Sequence, residues 1–158
     1  MRTVALAATT LLLGLSAGVF FAYSTSVMLA LHHVEDRTFI DVMQNINTAI
    51  LNGWFLTAYV GAFLLAIATT LLHLGSGHRA PLPWLLAATI LYGVAFVVTA
   101  TVNVPLNNTL DAAGPVAAIT DPSAVRAAFE GRWVTWNLVR TVASAGSLLT
   151  MAIALLRA

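Results

Sequence analysis

Long apolar blocks alternate with short polar segments along this chain of 158 residues. Four of the blocks are long enough to cross a bilayer, because a hydrocarbon core of about 30 Å needs roughly 20 helical residues. These blocks span residues 3–31, 54–74, 83–101 and 133–156. The pattern therefore predicts four transmembrane helices.

The first block opens like a secretory signal peptide, with Arg2 followed by an apolar run and then small residues. The run continues through the segment VFFAYSTSVMLAL, so the whole block is longer than a bilayer requires and has to tilt or protrude. We expect it to be kept as the first transmembrane helix.

The segment between the first two blocks carries a helical pattern of its own. Apolar residues recur there at helical spacing, opposite acidic and amide residues; they are Phe39, Ile40, Met43, Ile46 and Ile50. This pattern is typical of an amphipathic helix that lies on the membrane surface or caps a bundle.

A shorter helix is predicted just before the fourth block. Asp121 is a typical N-cap, Pro122 suits the first helical position, and the helix is expected to run through Glu130. The predicted fold is therefore all-α. It is a single integral membrane domain over residues 1–158, with a four-transmembrane-helix bundle, an amphipathic surface helix between helices 1 and 2, and a short helix before helix 4.

Composition supports the membrane class and argues against other classes. Hydrophobic residues make up 59% of the chain and charged residues 8%, against about a quarter charged in a typical soluble domain. A net charge of +1 offers no basic face for nucleic acid. Cysteine is absent from the sequence, so neither a disulfide framework nor a thiolate metal site is expected.

The positive charges predict the orientation in the membrane. Four crossings bring Arg2, Arg79 and Arg157 to one side, which the positive-inside rule assigns to the cytoplasm. The chain is thus predicted to be a multi-pass protein of the cell membrane with cytoplasmic N- and C-termini. His73 and His78 are expected at the cytoplasmic interface.

Polar side chains from all four helices gather at the opposite, extracytoplasmic end, whereas the cytoplasmic half reads as Leu, Ala, Val and Thr. The candidate site residues at the polar end are Tyr23, His33, Asn47, Asn103, Asn107, Trp133, Trp136, Asn137 and Arg140. This end of the bundle is therefore predicted to hold a functional site.

Arg140 is the most informative of these residues. Trp133, Asn137 and Arg140 are spaced i, i+4, i+7 and share a helix face, with Trp136 beside Arg140. An arginine at the centre of a membrane helix costs about 2.5–3.5 kcal/mol on an insertion scale, so it faces the bundle interior and needs a partner. Its partner is either an acid of segment 35–41, in a structural pair, or a ligand anion.

Two further features concern the third helix and the histidines. Pro105 removes a backbone donor and frees a carbonyl one turn earlier, so we expect the third helix to break near Asn103 and expose amide donors and acceptors; a simple capped end is the alternative.

His32 and His33 are adjacent and point about 100° apart on a helix, which suits one metal ion poorly. No metal site is predicted, and a transition metal or haem on His32 or His33 is the alternative.

Four segments resemble a known family in their order and spacing. GVFFAYSTSVMLAL, DRTFIDVMQNINTAILN, TVNVPLNNTL and FEGRWVTWNLVRTVAS are similar to signature segments of the anthrone oxygenases, which are small four-helix membrane proteins. The resemblance implies oxidation of an anthrone, a tricyclic polyketide intermediate, to its anthraquinone with O2. Recurrent polar positions of the family match residues of this chain; they are Tyr23, Asn47, Asn52, Asn103, Pro105, Asn107, Arg132, Trp133, Trp136, Asn137 and Arg140.

The chemistry of that reaction assigns the candidate roles. An anthrone loses a proton to give an electron-rich anthrolate, which can react with O2 without a cofactor. Arg140, Asn137 and Asn103 are the expected donors to its oxygen, and His33 is the expected base. The expected substrate-binding residues are Tyr23, Trp136, Asn47, Asn107 and Trp133.

The predicted partners are an aromatic hydrophobic small molecule, O2 and membrane lipid, without nucleic acid. Oligomeric state is left open, including a homo-oligomer. Two alternatives to the cofactor-free oxygenase stand: a metal- or haem-dependent membrane oxidase that uses His32 or His33, and a non-catalytic membrane protein that binds lipid or a small molecule.

Overall fold

Five α-helices and one short 3-10 turn form the part of the chain that this computed structural model describes, residues 1–75 and 79–158. No strand occurs within those residues. The helices are α1 (Arg2–Leu31), α2 (Asp36–Ala49), α3 (Gly53–Leu72), α4 (Leu82–Ala112) and α5 (Pro122–Leu156). The 3-10 turn spans Val116–Ala118, between α4 and α5.

The predicted four-helix membrane bundle is confirmed. Helices α1, α3, α4 and α5 are each long and apolar enough to cross a membrane. Each packs mainly on two others, in the cyclic order α1, α3, α4, α5, so neighbours around the ring are antiparallel. Large apolar side chains such as Leu15, Leu64, Ile90 and Leu149 point outward, as expected for surfaces that face lipid.

The half of the bundle that holds both chain ends has a more polar interior than the sequence indicated. Thr9 on α1 and Thr69 on α3 are fully buried and their hydroxyl oxygens lie 2.9 Å apart. Ser147 on α5 donates to the carbonyl of Ala88 on α4 at 2.8 Å. Small residues and interhelical hydroxyl bonds are what allow membrane helices to approach closely, so these groups serve packing.

His73, expected at the membrane interface, follows the last residue of α3 and turns its side chain into the end of the bundle. Its side chain is 2% exposed and its Nδ1 lies 2.8 Å from the carbonyl of Thr69, one turn earlier on α3. The expected interface position of His78 lies outside the described residues.

Two helices are longer than the hydrophobic pattern suggested. Helix α4 does not end near Asn103: a π-turn over Thr99–Asn103 precedes Pro105, and the helix continues to Ala112. The wider turn accommodates the missing N–H and the ring of the proline, so the predicted break does not occur.

The short helix predicted before helix 4 forms the first turns of α5. Asp121 caps it as expected and accepts a hydrogen bond from the backbone N–H of Ala124 at 3.0 Å. No proline interrupts the chain between Pro122 and Leu156, and Gly131 alone does not stop a helix. The two predicted segments therefore join into one helix of 35 residues.

Unequal helix lengths shape the end of the bundle opposite the chain termini, which the charges predict to be extracytoplasmic. Helices α1, α4 and α5 have 30, 31 and 35 residues, whereas α3 has 20. At about 1.5 Å per residue, the three long helices exceed the hydrocarbon thickness by roughly 15–23 Å and leave the fourth side without a helix. There a cavity is lined by Ile46 and Asn47 of α2 and by Ile50 and Leu51.

The amphipathic helix α2 caps this end of the bundle. Its apolar residues Phe39, Ile40 and Met43 are fully buried, and α2 packs against α4 and α5. Arg126 of α5 fastens it by donating to a carboxylate oxygen of Asp36 at 3.0 Å and to the carbonyl of Val34 at 2.8 Å. The sequence allowed this helix to lie on the membrane surface or to cap the bundle, and in the structure it caps the bundle.

Candidate functional site

A cavity of about 130 Å³ lies inside the bundle at the end that α2 covers. Apolar clusters flank it on both sides: one fills the bundle around Phe20 and Tyr59, and the other joins α2 to the ends of α4 and α5. Seven of the predicted site residues line it: Tyr23, Asn47, Asn103, Asn107, Trp133, Asn137 and Arg140.

Two π-turns border the cavity. One begins at Tyr23 in α1 and covers Tyr23–Val27; the other ends at Asn103 in α4 and covers Thr99–Asn103. A π-turn adds one residue to a helical turn and so changes which side chains face the interior beyond it; such turns are frequent at functional sites. Both helices use this irregularity at the level where their polar side chains enter the cavity.

Arg140 forms the inner wall of the cavity and is 6% exposed. Its Nη2 donates to the side-chain oxygen of Asn137 at 2.8 Å, and its Nη1 donates a longer bond of 3.4 Å to the hydroxyl of Thr99. The guanidinium carbon lies 4.6 Å from the ring centre of Phe20 and 5.2 Å from that of Trp133. The cation is thus held between two aromatic faces.

No carboxylate forms an ion pair with Arg140 among the described residues. Asp36, one of the acids considered for that role, pairs with Arg126 instead. Cation–π contacts of about 0.5–2 kcal/mol each and the hydrogen bonds offset an insertion cost of about 2.5–3.5 kcal/mol. Arg140 can therefore be buried without a counter-ion. Its Nε atom is buried and has no hydrogen-bond partner in the described structure.

Asn137 positions the arginine. The side chain is 1% exposed, and its amide nitrogen donates to the carbonyl of Phe20 at 3.1 Å and to the hydroxyl of Ser24 at 2.8 Å, both on α1. These two bonds orient its oxygen toward Arg140. Asn137 therefore has all of its polar atoms engaged, and its oxygen faces the guanidinium.

Asn103 has the opposite character. Its amide nitrogen donates to the backbone carbonyl of Trp133 at 3.3 Å, whereas its side-chain oxygen is buried without a partner in the described structure. Asn103 is one of the expected donors to the substrate oxygen, but the atom that it leaves free is an acceptor. An unpaired buried acceptor costs about 1–3 kcal/mol, so it calls for an explanation such as a ligand donor.

Trp133 is the aromatic wall of the cavity. It is 5% exposed, its indole N–H donates to the side-chain oxygen of Asn107 at 2.8 Å, and its ring lies 5.6 Å from that of Tyr23. The hydrogen bond fixes the plane of the indole. A flat, apolar surface is thereby presented next to the charged group of Arg140.

Asp111 is a lining residue that the sequence analysis missed. Its Oδ1 accepts a hydrogen bond from the amide of Asn47 on α2 at 3.0 Å, at the outer rim of the cavity. The signal was present in the spacing, because Asn103, Asn107 and Asp111 recur every four residues. It was overlooked because α4 was expected to break near Asn103.

Two predicted site residues lie outside the cavity. Trp136 is 37% exposed on the outer surface of α5, and His33 is exposed beyond the end of α1. His32, next to His33, lies 3.1 Å from a carboxylate oxygen of Glu130. The structure thus does not bring His33 to Arg140, and it assigns the aromatic wall to Trp133 instead of Trp136.

Potential metal ligands are dispersed in the part of the chain that the structure describes. Within residues 1–75 and 79–158, no group of three or more His, Cys, Asp or Glu side chains is placed to hold a metal ion. A larger cleft, of about 730 Å³, lies at the other end of the bundle between Arg2, His73 and Arg157, and no predicted site residue lines it. The candidate chemistry is concentrated in the smaller cavity.

The fold and this cavity define a class: a multi-pass helical membrane protein whose four-helix bundle encloses a polar, arginine-bearing site near one end. Within that class, the chain belongs to the anthrone oxygenase family, because the model of the family described as anthrone oxygenase matches residues 51–150, more than half of the chain. No curated protein and no solved structure matches the chain.

The matched region contains most of the cavity residues. It includes the inner charge Arg140, its partner Asn137, the unpaired Asn103 and the aromatic wall Trp133. Tyr23, which precedes the matched region, completes the wall from α1.

Proposed function

We propose that the protein is a membrane-embedded oxygenase that oxidises an anthrone, or a similar electron-rich aromatic molecule, with O2 and without a cofactor. Membership of the anthrone oxygenase family supports the reaction class. The observation that carries the proposal is the buried cation of Arg140, which has no counter-ion among the described residues and borders an aromatic-walled cavity. Such a group is suited to an oxyanion that forms during the reaction.

The proposed reaction begins with loss of a proton from the carbon opposite the anthrone carbonyl. The electron pair then delocalises onto the carbonyl oxygen, which becomes the oxyanion of an aromatic anthrolate. Arg140 donates to that oxygen, and Trp133 and Tyr23 contact the rings. The anthrolate reduces O2, and the overall change is anthrone plus O2 to anthraquinone plus water.

Membrane location suits a flat, poorly soluble substrate, which reaches the cavity from the lipid. At about 130 Å³ the cavity is smaller than the 300–1,000 Å³ typical of sites for drug-sized ligands. We therefore propose that the side without a long helix, where Ile46, Ile50 and Leu51 line the cavity, moves outward when a tricyclic molecule binds.

The experiment that tests this function uses detergent-purified protein of measured metal content and visible spectrum. Oxygen consumption is recorded with an anthrone such as emodin anthrone, and quinone formation is followed by absorbance. The ratio of the two should be one O2 per quinone, as expected when water is the second product. Turnover at substoichiometric metal supports the proposal. Turnover that needs stoichiometric metal or haem contradicts its cofactor-free part. Binding without turnover favours a non-catalytic lipid- or small-molecule-binding protein.

We also propose that the cavity lies at the extracytoplasmic end, with both chain ends in the cytoplasm. The chain has no cysteine, so single cysteines report sidedness directly. In intact cells, a membrane-impermeant maleimide is expected to label Ala127→Cys, on the exposed start of α5, and to label Ala80→Cys only after permeabilisation. The reverse labelling pattern would place the cavity on the cytoplasmic side.

A further inference from the structure

The proposed reaction needs a base near the substrate carbon, and Asp111 is a carboxylate that lines the cavity. It lies in the last turn of α4, and Asn47 of α2 donates to its Oδ1 at 3.0 Å. Asp111 is exposed at the rim of the cavity, so its second carboxylate oxygen, which has no hydrogen bond to a described residue, is open to water as well as to the cavity. Among the described residues that line the cavity, it is the single carboxylate, and no histidine lines it.

The carboxylate and the guanidinium lie toward opposite ends of the cavity. Arg140 contacts Thr99 and the ring of Trp133 at the inner end. The indole nitrogen of Trp133 is bonded to Asn107, and Asp111 follows Asn107 by one helical turn, about 6 Å along α4. Side chains of a helix lean toward its N-terminus, so the Asp111 side chain leans back toward the cavity.

The order of these two groups, a cation and then a carboxylate, corresponds to the two edges of the substrate on which the reaction acts. In an anthrone, the carbonyl oxygen and the acidic CH2 carbon lie on opposite sides of the central ring. A cation at one end of a cavity and a carboxylate at the other orient such a molecule, with its oxygen toward Arg140 and its CH2 group toward Asp111.

We propose that Asp111 is the catalytic base that removes the proton from the substrate carbon, the role that the sequence analysis gave to His33. This inference rests on the proposed oxygenase function. In the proton-transfer step the C–H bond breaks, an O–H bond forms on the Asp111 carboxylate, and the electron pair passes to the carbonyl oxygen beside Arg140. The anthrolate carbon then forms a C–O bond to O2, the O–O bond and the second C–H bond of that carbon break, and the proton held by Asp111 leaves with the second hydrogen in the water that is formed.

A structural role for Asp111 would give different results, because its bond to Asn47 also joins α2 to α4. Asp111→Asn keeps an acceptor oxygen for the Asn47 amide but removes the base. Asn47→Ala removes the bond but keeps the carboxylate. Asp41→Asn, on the exposed face of α2 and away from the cavity, is the matched control for loss of one negative charge.

The experiment measures kcat for emodin anthrone in these variants over a range of pH. Asp111→Asn is expected to lower kcat by about 100-fold or more near neutral pH, as for loss of a general base. Its activity should recover as the pH rises through the pKa of the substrate C–H, because solvent then forms the anthrolate. Asn47→Ala should lose less than about 10-fold, with no such recovery, and Asp41→Asn should match the wild type.

Arg140 and Tyr23 are the other ionisable side chains that line the cavity among the described residues, so both enter the interpretation of the pH profile. Wild-type-like kcat in Asp111→Asn would overturn the assignment. Equal losses in Asp111→Asn and Asn47→Ala without recovery at high pH would also overturn it in favour of a structural contact. An inactive wild-type protein would instead reject the oxygenase function itself, so the two failures are distinguishable.

Discussion

Replacing Arg140 with methionine is expected to lower kcat/KM for an anthrone by about 100- to 1,000-fold, the range seen when one donor to an oxyanion is removed. The bundle should still insert and fold. Arg140 forms no ion pair with the described residues, so the substitution leaves no carboxylate behind. It does leave the buried side-chain oxygen of Asn137 without its donor, which costs about 1–3 kcal/mol, and removal of the buried cation offsets part of that cost. Steady-state oxygen consumption and thermal unfolding in detergent measure the two effects.

Arg132→Met is the matched control, because Arg132 lies on the same helix, is exposed and does not line the cavity. It should change neither quantity appreciably. Arg140→Lys keeps the charge but lacks the planar set of donors, so an intermediate loss is expected. If Arg140→Met and Arg140→Lys both fail to fold, the arginine is a structural element; if Arg140→Met turns over normally, the oxyanion role is wrong.

Asn103→Leu is expected to separate activity from stability. The substitution removes one hydrogen bond of 3.3 Å, for which about 0.5–1.5 kcal/mol is typical, and it removes a buried unpaired oxygen that costs about 1–3 kcal/mol. The unfolding temperature should therefore stay the same or rise. Turnover should fall by about 10-fold or more, because the oxygen is then no longer available to a substrate hydroxyl or a bound water.

Asn137→Leu is the same substitution at a side chain whose polar atoms are all bonded. It breaks bonds to Phe20, Ser24 and Arg140, so it should lower the free energy of unfolding by about 2–4 kcal/mol as well as lower the activity. A comparable destabilisation by Asn103→Leu would show that Asn103 serves packing, and the assignment of its oxygen to a ligand would then be wrong.

The predictions for Arg140 and Asn103 depend on two features, and only one of them can be predicted from the sequence. Trp133, Asn137 and Arg140 share a face of α5 at any position of that helix in the bundle, because i, i+4, i+7 spacing is a local property. Their place together in one cavity was therefore predictable. The contrast between the satisfied Asn137 and the unsatisfied Asn103 was not, since both are asparagines in similar apolar surroundings.

The predicted site residues that lie outside the cavity show which information is non-local. Trp136 precedes Arg140 by four residues, yet it lies outside the face of α5 that packs against α1 and α4. His33 lies beyond the last turn of α1, and its direction there depends on the loop into α2. Asp111 enters the cavity only because the π-turn Thr99–Asn103 lets α4 continue past Pro105.

A four-helix membrane protein with a polar end can be predicted from local patterns, because the length and composition of apolar blocks and the facing of residues along one helix are properties of short chain segments. Interhelical packing sets how α2 covers the end of the bundle above the short α3 and which asparagine oxygen is unpaired. It also leaves Arg140 without a counter-ion among the described residues and brings a carboxylate from α4 to the same cavity. Each of these depends on the rotation and relative height of different helices, which interhelical packing sets and no single segment encodes.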